Sequence, residues 1–216
     1  MTDATFAGGV VAVVRLPHET NFCALAGALA GGGVNAVEIT LTTPGALDGI
    51  RDVARADLSG CLVGAGSVLD ERSARGVLAA GARFVVSPTL DEAVLRVCRE
   101  ANVPCVPGAL TPRELLDAWR AGASLIKLFP ASLVGPGYIR DVLAPLPFLR
   151  LVPSGGVSLE NAGAWIQAGA AAVSVGGALV SASLVAEEAW DRLTARARAL
   201  VERVAEARRQ PAEASA

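Results

Sequence analysis

Of the 19 basic residues in this 216-residue chain, one is lysine, Lys127, and it lies inside the apolar run SLIKLFPA, residues 124–131. An arginine guanidinium stays protonated, whereas a desolvated lysine amine can lose its proton and attack a carbonyl carbon. A chain that uses arginine everywhere else and keeps one lysine in apolar surroundings therefore points to Schiff-base chemistry at Lys127. A phosphate-binding cation and half of an internal ion pair are the competing readings. Glu38, in NAVEITLT, is the natural companion. Burying a carboxylate is costly without a partner, so a glutamate inside an apolar strand calls for one. Lys127 would carry a carbonyl substrate and Glu38 would move its protons; a structural salt bridge is the plainer alternative.

Two double glycines supply a third element: Gly155-Gly156 in PSGGVS and Gly176-Gly177 in SVGG. Glycine lets a backbone approach an oxyanion closely, and loops of this kind cradle phosphate with N–H groups. Ordinary glycine turns are the alternative. Metal chemistry finds little support. The one histidine, His18, follows a proline, and no His, Cys or carboxylate cluster has ligand spacing. No metal and no cofactor are expected. Cys23, Cys61, Cys98 and Cys105 form no C-x-x-C pair, which reads as reduced core thiols of a cytoplasmic protein; for Cys105, in an apolar run, a reactive thiol is the other reading.

These residues need a scaffold, and the chain repeats one. GGGVNAVEIT, AAGARFVVSP, RAGASLIKLFP and QAGAAAVSVGG each place a glycine (Gly33, Gly81, Gly122, Gly169) before an apolar strand. A glycine just past a helix is a left-handed stop, and a spacing in the forties suits two βα units. Intermediate strands fall at 10–15, 61–67, 103–108 and 149–156. Helices over 43–56 and from 111 onward each open with Thr-Pro, a cap followed by a first-turn proline. Eight strands, apolar on both faces and alternating with helices, predict a single (β/α)8 TIM barrel over 1–207, with a flexible tail over 208–216. A doubly wound open sheet is the alternative, weakened because GAGS lacks the full G-x-G-x-x-G. Active sites of such barrels sit at the C-terminal strand ends, here Arg15, Glu38, Ser67, Pro88, Pro107, Lys127 and the two double glycines.

The net charge of −2 offers no basic surface for nucleic acid. The uncharged segment 161–186 is long enough to span a bilayer, but polar residues and the Gly176-Gly177 turn interrupt it. No membrane partner is expected. The mean hydropathy of +0.47 suggests apolar surface buried between subunits.

The set VVRL, VEITLTTP, GAGSVLD, SPTLDEAVLRVC, VPGALTPREL, IKLFPASLVGPGYIRDVLAPLP, VPSGGVSLEN and VGGALV resembles the class I aldolases of 2-keto-3-deoxy-6-phosphogluconate, with their 2-keto-3-deoxy-6-phosphogalactonate and 4-hydroxy-2-oxoglutarate relatives. The resemblance covers about residues 8–205. It implies cleavage of a 2-keto-3-deoxy-6-phospho sugar acid to pyruvate and glyceraldehyde 3-phosphate. It makes Lys127 the Schiff-base lysine and Glu38 the acid/base. Arg15, Thr42, Ser67, Pro88, Phe129 and Ser154 become substrate-binding positions, and Gly155, Gly156, Gly176, Gly177 and Ala178 the phosphate site. A homotrimer and a place in Entner–Doudoroff-type carbohydrate metabolism are implied as well. Two departures bear on the substrate: Thr42 stands where phosphogluconate aldolases usually have arginine, and Ala178 where many members have serine. A 4-hydroxy-2-oxoglutarate aldolase, a metal-free sugar-phosphate isomerase or epimerase, and a non-catalytic phosphosugar-binding barrel are the rival functions.

Overall fold

A computed structural model describes residues 6–58 and 60–210. Short buried strands alternate with helices throughout. The strands are β1 (Val10–Val14), β2 (Ala36–Thr40), β3 (Leu62–Gly66), β4 (Val85–Val86), β5 (Cys105–Val106), β6 (Gly108–Ala109), β7 (Ile126–Leu128), β8 (Leu151–Pro153) and β9 (Val173–Val175). The helices are α1 (Phe22–Gly31), α2 (Ala46–Ala56), α3 (Glu71–Ala79), α4 (Glu92–Glu100), α5 (Pro112–Arg120), α6 (Gly137–Leu143), α7 (Ala162–Gln167), α8 (Ala182–Ala186) and α9 (Trp190–Arg209).

All strand pairs are parallel. One sheet runs β5-β4-β3-β2-β1-β9 and the other β6-β7-β8. Ser154, just past β8, bridges Ser174 in β9. This is the α/β fold that the alternation predicts, with the sheet curled. Helices cover its outer face over one large apolar core. A second cluster gathers Val11, Ala36, Val86, Val106 and Val152 from five strands of both sheets, with Phe6 and Phe84 stacked edge-on at 5.3 Å. Residues from five strands meet in one cluster only if the sheet bends around them.

Local chemistry explains where elements begin and end. Gly33, Gly81, Gly122 and Gly169 all have φ between 89° and 105° and follow helix ends, as the repeat predicts. Thr111 caps α5: its Oγ1 accepts the Glu114 N–H, and the Glu114 carboxylate accepts the Thr111 N–H at 2.8 Å. Thr43-Pro44 does not open a helix in the same way. Helix α2 starts at Ala46, behind Gly45 in the left-handed region. The Thr43 hydroxyl is engaged elsewhere, donating to Val14 O at 3.2 Å and accepting Leu16 N–H at 3.2 Å.

The strand predicted over 103–108 is two short ones, β5 and β6, on either side of Pro107. Proline has no N–H to give a ladder; its carbonyl still accepts Lys127 N–H at 2.9 Å. Helix α9 continues through Arg209, so the first two residues of the predicted tail are helical. The rest of that tail, from 211, lies outside the described residues. The long uncharged segment is divided among α7, β9 and α8. Among the described residues, no helix is long and apolar enough to cross a membrane.

Cys98 and Cys105 are buried, Cys23 and Cys61 half-buried, and all four are free. Burial pushes the Cys61 thiol up to about 11. The adjacent Cys98 sulfur, and then burial, push Cys105 well above the usual thiol range. Both thiols therefore stay protonated near neutrality, which disfavours the reactive reading of Cys105.

Candidate active site

Lys127 is the middle residue of β7 and Glu38 the middle residue of β2. Both therefore sit inside their strands, where the strand-end reading put them at the rim. Glu38 pairs in register with Val13 of β1 and Gly64 of β3, and Lys127 with Gly108 of β6 and Val152 of β8. Their side chains converge from strands of different sheets, with Lys127 Nζ 3.8 Å from Glu38 Oε1. Glu38 is 0% exposed and Lys127 6%.

Strand β3 makes room for this pair. A Cβ on Gly66 would lie 2.0 Å from Glu38 Oε1, and one on Gly64 would lie 2.4 Å from the Phe84 ring. The alternation in GAG thus keeps one face of the strand bare, for Phe84 at one level and the Glu38 carboxylate at the next. Both Glu38 oxygens are buried without a hydrogen-bond partner among the described residues. Burial pushes the Glu38 carboxyl above the usual carboxylate range, against the opposing pull of the Lys127 and Arg15 charges.

Above the pair, a cavity of about 330 Å³ is lined by Arg15, Lys127, Phe129, Ser154, Gly155, Gly156, Gly176, Gly177 and Ala178, with Val13, Val157 and Ser158. Nine of the residues singled out in the sequence thus share one concavity. Lys127 also lines a small internal cavity of about 10 Å³ beneath, with Glu38 and Ser174. The lysine is therefore the boundary between mouth and interior. The Phe129 ring lies 5.2 Å from Lys127 Nζ.

The glycine turns are held from behind. Gly155 and Gly156 have φ of 88° and 77°. Asn161 Nδ2 donates to Gly156 O at 2.9 Å, and its Oδ1 accepts Ser158 N–H at 2.9 Å. Arg196 of α9 donates to Ala178 O at 2.5 Å.

Thr42 and Ser67 do not line the cavity; they hold its arginine. Arg15 Nη1 donates to Thr42 Oγ1 at 2.7 Å, and Nη2 to Ser67 Oγ at 3.1 Å. Ser67 has φ 59°, unusual for a residue with a side chain. Pro88, just past β4, also lies off the cavity wall: its carbonyl occupies the space a Cβ on Gly108 would need, 2.0 Å away.

The sequence reading passed over Thr40 and Ser174, and took Thr43 only as a helix cap. A signal for Thr40 was present, since it stands two residues after Glu38 on the same strand and so on the same face. Ser174 stood in the AVSVGG phrase, where only the glycines were weighed.

Size alone would choose other locations. A cavity of about 650 Å³ is lined by Glu92, Arg96, Arg99 and Arg120 among others, and one of about 540 Å³ lies toward the N-terminal strand ends, lined by Leu62, Val63, Pro104, Asp57, Arg83 and Asn102 among others. Neither sets an amine over a buried carboxyl, as the smaller cavity does.

The chain is similar to known proteins over nearly its whole length. The family model described as KDPG and KHG aldolase matches residues 3–196. The chain is 35% identical over 202 residues to the 2-dehydro-3-deoxy-phosphogluconate aldolase of Pseudomonas aeruginosa, covering 93% of this chain and 91% of the relative. The solved structure described as native KDPGal superposes with a TM-score of 0.84 at 31% identity, covering 92% of this chain and 95% of that one. The Legionella pneumophila KDPG aldolase, with pyruvate captured as a covalent carbinolamine, superposes with a TM-score of 0.83 at 27% identity, covering 93% and 98%.

Proposed function

The chain belongs to the KDPG and KHG aldolase family, and from that premise we propose that Lys127 and Glu38 are the catalytic pair of an aldolase acting on 2-keto-3-deoxy-6-phospho sugar acids. The observation that carries the reading is the buried amine 3.8 Å from a buried carboxyl at the floor of a cavity rimmed by two double-glycine turns.

Neutral Lys127 attacks the C2 ketone, and loss of water from the carbinolamine gives an iminium. Glu38 lies close enough to Nζ to exchange protons with that adduct. It also takes the C4 hydroxyl proton, directly or through a water. The C3–C4 electron pair then passes into the iminium, releasing glyceraldehyde 3-phosphate and leaving an enamine. Protonation at C3 and hydrolysis return pyruvate and the free lysine. Burial disfavours the charged form of the Glu38 carboxyl, so it holds a proton more readily than an exposed carboxyl and can return one as well as take one. Ser154 and Phe129 flank the pyruvyl portion. The N–H groups of Gly155, Gly156, Gly176, Gly177 and Ala178 face the phosphate.

The reading extends to substrate preference and to assembly. Position 42 carries a threonine whose hydroxyl is already engaged by Arg15, so no side-chain cation there discriminates the C4 epimers. The enzyme is permissive between gluconate and galactonate types and favours the galactonate. Closure of the two parallel sheets into a (β/α)8 barrel is supported by the Ser154–Ser174 bridge on one side and the Pro107 junction on the other. A homotrimer working in the cytoplasm, in carbohydrate breakdown of the Entner–Doudoroff kind, completes the proposal; free cysteines and exposed apolar side chains support it.

Incubation with pyruvate and borohydride, followed by peptide mass spectrometry, tests the catalytic pair. A reduced pyruvyl adduct is expected at Lys127, and Lys127→Arg should abolish both adduct and cleavage. Appreciable cleavage by Lys127→Arg would overturn the Schiff-base reading. The phosphate site is tested by kcat/KM for phosphorylated and unphosphorylated 2-keto-3-deoxy acids and for 4-hydroxy-2-oxoglutarate. Ala178 lacks the hydroxyl donor of serine-bearing relatives, and a hydrogen bond to a charged group contributes about 1.5–3 kcal/mol. Phosphate should therefore raise kcat/KM, but by less than in such relatives. Equal values with and without phosphate would favour the hydroxyoxoglutarate reading.

A further inference from the structure

Three threonines follow Glu38 in the stretch ITLTT, and all three are tied to the turn that carries Arg15. Arg15 Nη1 donates to Thr42 Oγ1 at 2.7 Å. A guanidinium has no acceptor, so the direction of this bond is fixed and the Thr42 hydroxyl proton is left for another oxygen. The neighbouring oxygen is Thr40 Oγ1 at 3.0 Å. Thr40 in turn donates to Val14 O at 3.1 Å. The chain of hydroxyls thus leaves the guanidinium and returns to the backbone of the residue before Arg15. Thr43 braces the loop: its Oγ1 donates to the same carbonyl at 3.2 Å, accepts Leu16 N–H at 3.2 Å and lies 3.1 Å from Thr40 Oγ1. Ser67 holds the other guanidinium nitrogen at 3.1 Å. Thr40 and Thr43 are buried, while Arg15 itself is exposed.

Fixing an exposed arginine through Thr42, itself backed by the buried hydroxyls of Thr40 and Thr43, serves no packing purpose, because the guanidinium covers no core. It does serve binding. A free arginine has large rotamer freedom to lose when it takes a ligand, and holding the side chain beforehand removes that cost. Arg15 lines the cavity over Lys127. We propose that Thr40, Thr42 and Thr43 form a positioning clamp that presents the Arg15 guanidinium to an oxyanion of the substrate, its carboxylate or its phosphate. The clamp concerns how that oxyanion is held, and it rests on the aldolase reading above.

Thr40→Val keeps the side-chain shape and removes the hydroxyl. Thr43 still donates to Val14 O, so the loss to the fold is contained. For the phosphorylated 2-keto-3-deoxy acid, KM should rise about tenfold with kcat within about twofold, the signature of lost uniform binding. Thr42→Val breaks the same chain at an exposed position and should act alike, which keeps the test usable if Thr40→Val folds poorly. Thr40→Ser should restore KM. In an Arg15→Met background the threonine changes should leave KM where Arg15→Met put it, because the group they position is gone. A merely structural role would give the same losses in both backgrounds. A KM rise confined to the phosphorylated substrate identifies phosphate as the oxyanion; an equal rise for the unphosphorylated acid identifies the carboxylate.

Unchanged KM in Thr42→Val, or an undiminished threonine effect in the Arg15→Met background, would overturn the clamp. Borohydride trapping of pyruvate on the parent chain separates the two levels. If the adduct forms and KM does not respond, the clamp alone fails. If no adduct forms, the aldolase reading fails and takes the clamp with it.

Discussion

Glu38 shows what an isolated residue type can and cannot reveal. A carboxylate in an apolar strand advertised a partner, and the lone lysine advertised itself; the structure brings the two to 3.8 Å. Their depth was not legible, because sequence periodicity gives the face of a strand and not how far along it the mouth begins. Depth sets the electrostatics. Burial holds the Glu38 carboxyl above its ordinary range, so the folded chain binds that proton more tightly than the unfolded chain does. The resulting stability is fully present below the ordinary carboxylate range and is lost as pH rises through the raised value. Glu38→Gln removes this dependence. Its melting temperature relative to the parent should therefore climb as pH increases from about 4, the ordinary carboxylate value. A relative melting temperature that is flat or falls over that range would mean that Glu38 is ionised at ordinary pH and held by Lys127. Catalysis should fall by ~10²–10⁴ in the same variant, the usual contribution of a positioned acid or base, while the pyruvate adduct at Lys127 still forms.

At the scale of elements, the helix stops were legible and one of the starts was not. Four glycines past helix ends are fixed by backbone sterics, which act locally and leave a mark in the sequence. The two Thr-Pro pairs look alike, yet only Thr111 caps a helix, because Thr43 is claimed by Val14 of β1 and by Leu16 in the turn after it. Long-range competition for a hydroxyl leaves no local mark. The same holds for Gly64 and Gly66: the strand over 61–67 was legible, but not that these two glycines form its bare face against Phe84 and Glu38. Gly66→Ala places a methyl group on the Glu38 carboxylate. The carboxyl must move, and its distance to Lys127 changes without any loss of buried apolar surface. Turnover should drop by ~10²-fold or more, on the scale of a misplaced acid/base, with the circular dichroism of the parent retained. Near-normal turnover in Gly66→Ala would show that Glu38 reaches its work from a different rotamer. Ser67→Gly should behave in the opposite sense for stability: glycine relieves the left-handed φ of 59° while removing a hydroxyl from Arg15. The variant should melt higher and bind substrate less tightly.

For the whole molecule, the parallel α/β sheet followed from strands apolar on both faces, since only helices on the outer side and packed side chains on the inner side can bury them. What the mean hydropathy of +0.47 adds is an excess of apolar residues beyond that core. The excess reaches the surface: Leu133 is 71% exposed and Leu69 57%, and Phe148 and Leu47 are exposed as well. Leu133 follows the FPA stretch beside the cavity, so an apolar contact there would lie close to the site it borders. Single exposed apolar residues are ordinary, and their weight comes from coinciding with the hydropathy excess. Association is therefore expected, and the homotrimer proposed above, which the family resemblance implies, is the form to test. Sedimentation velocity should show a single species of about three chain masses at micromolar concentration. Because subunit binding stabilises only the folded form, the melting temperature should also rise with protein concentration. A monomer at that concentration, with a melting temperature independent of it, would leave the apolar residues as solvent-facing features of a single chain and remove assembly from the account.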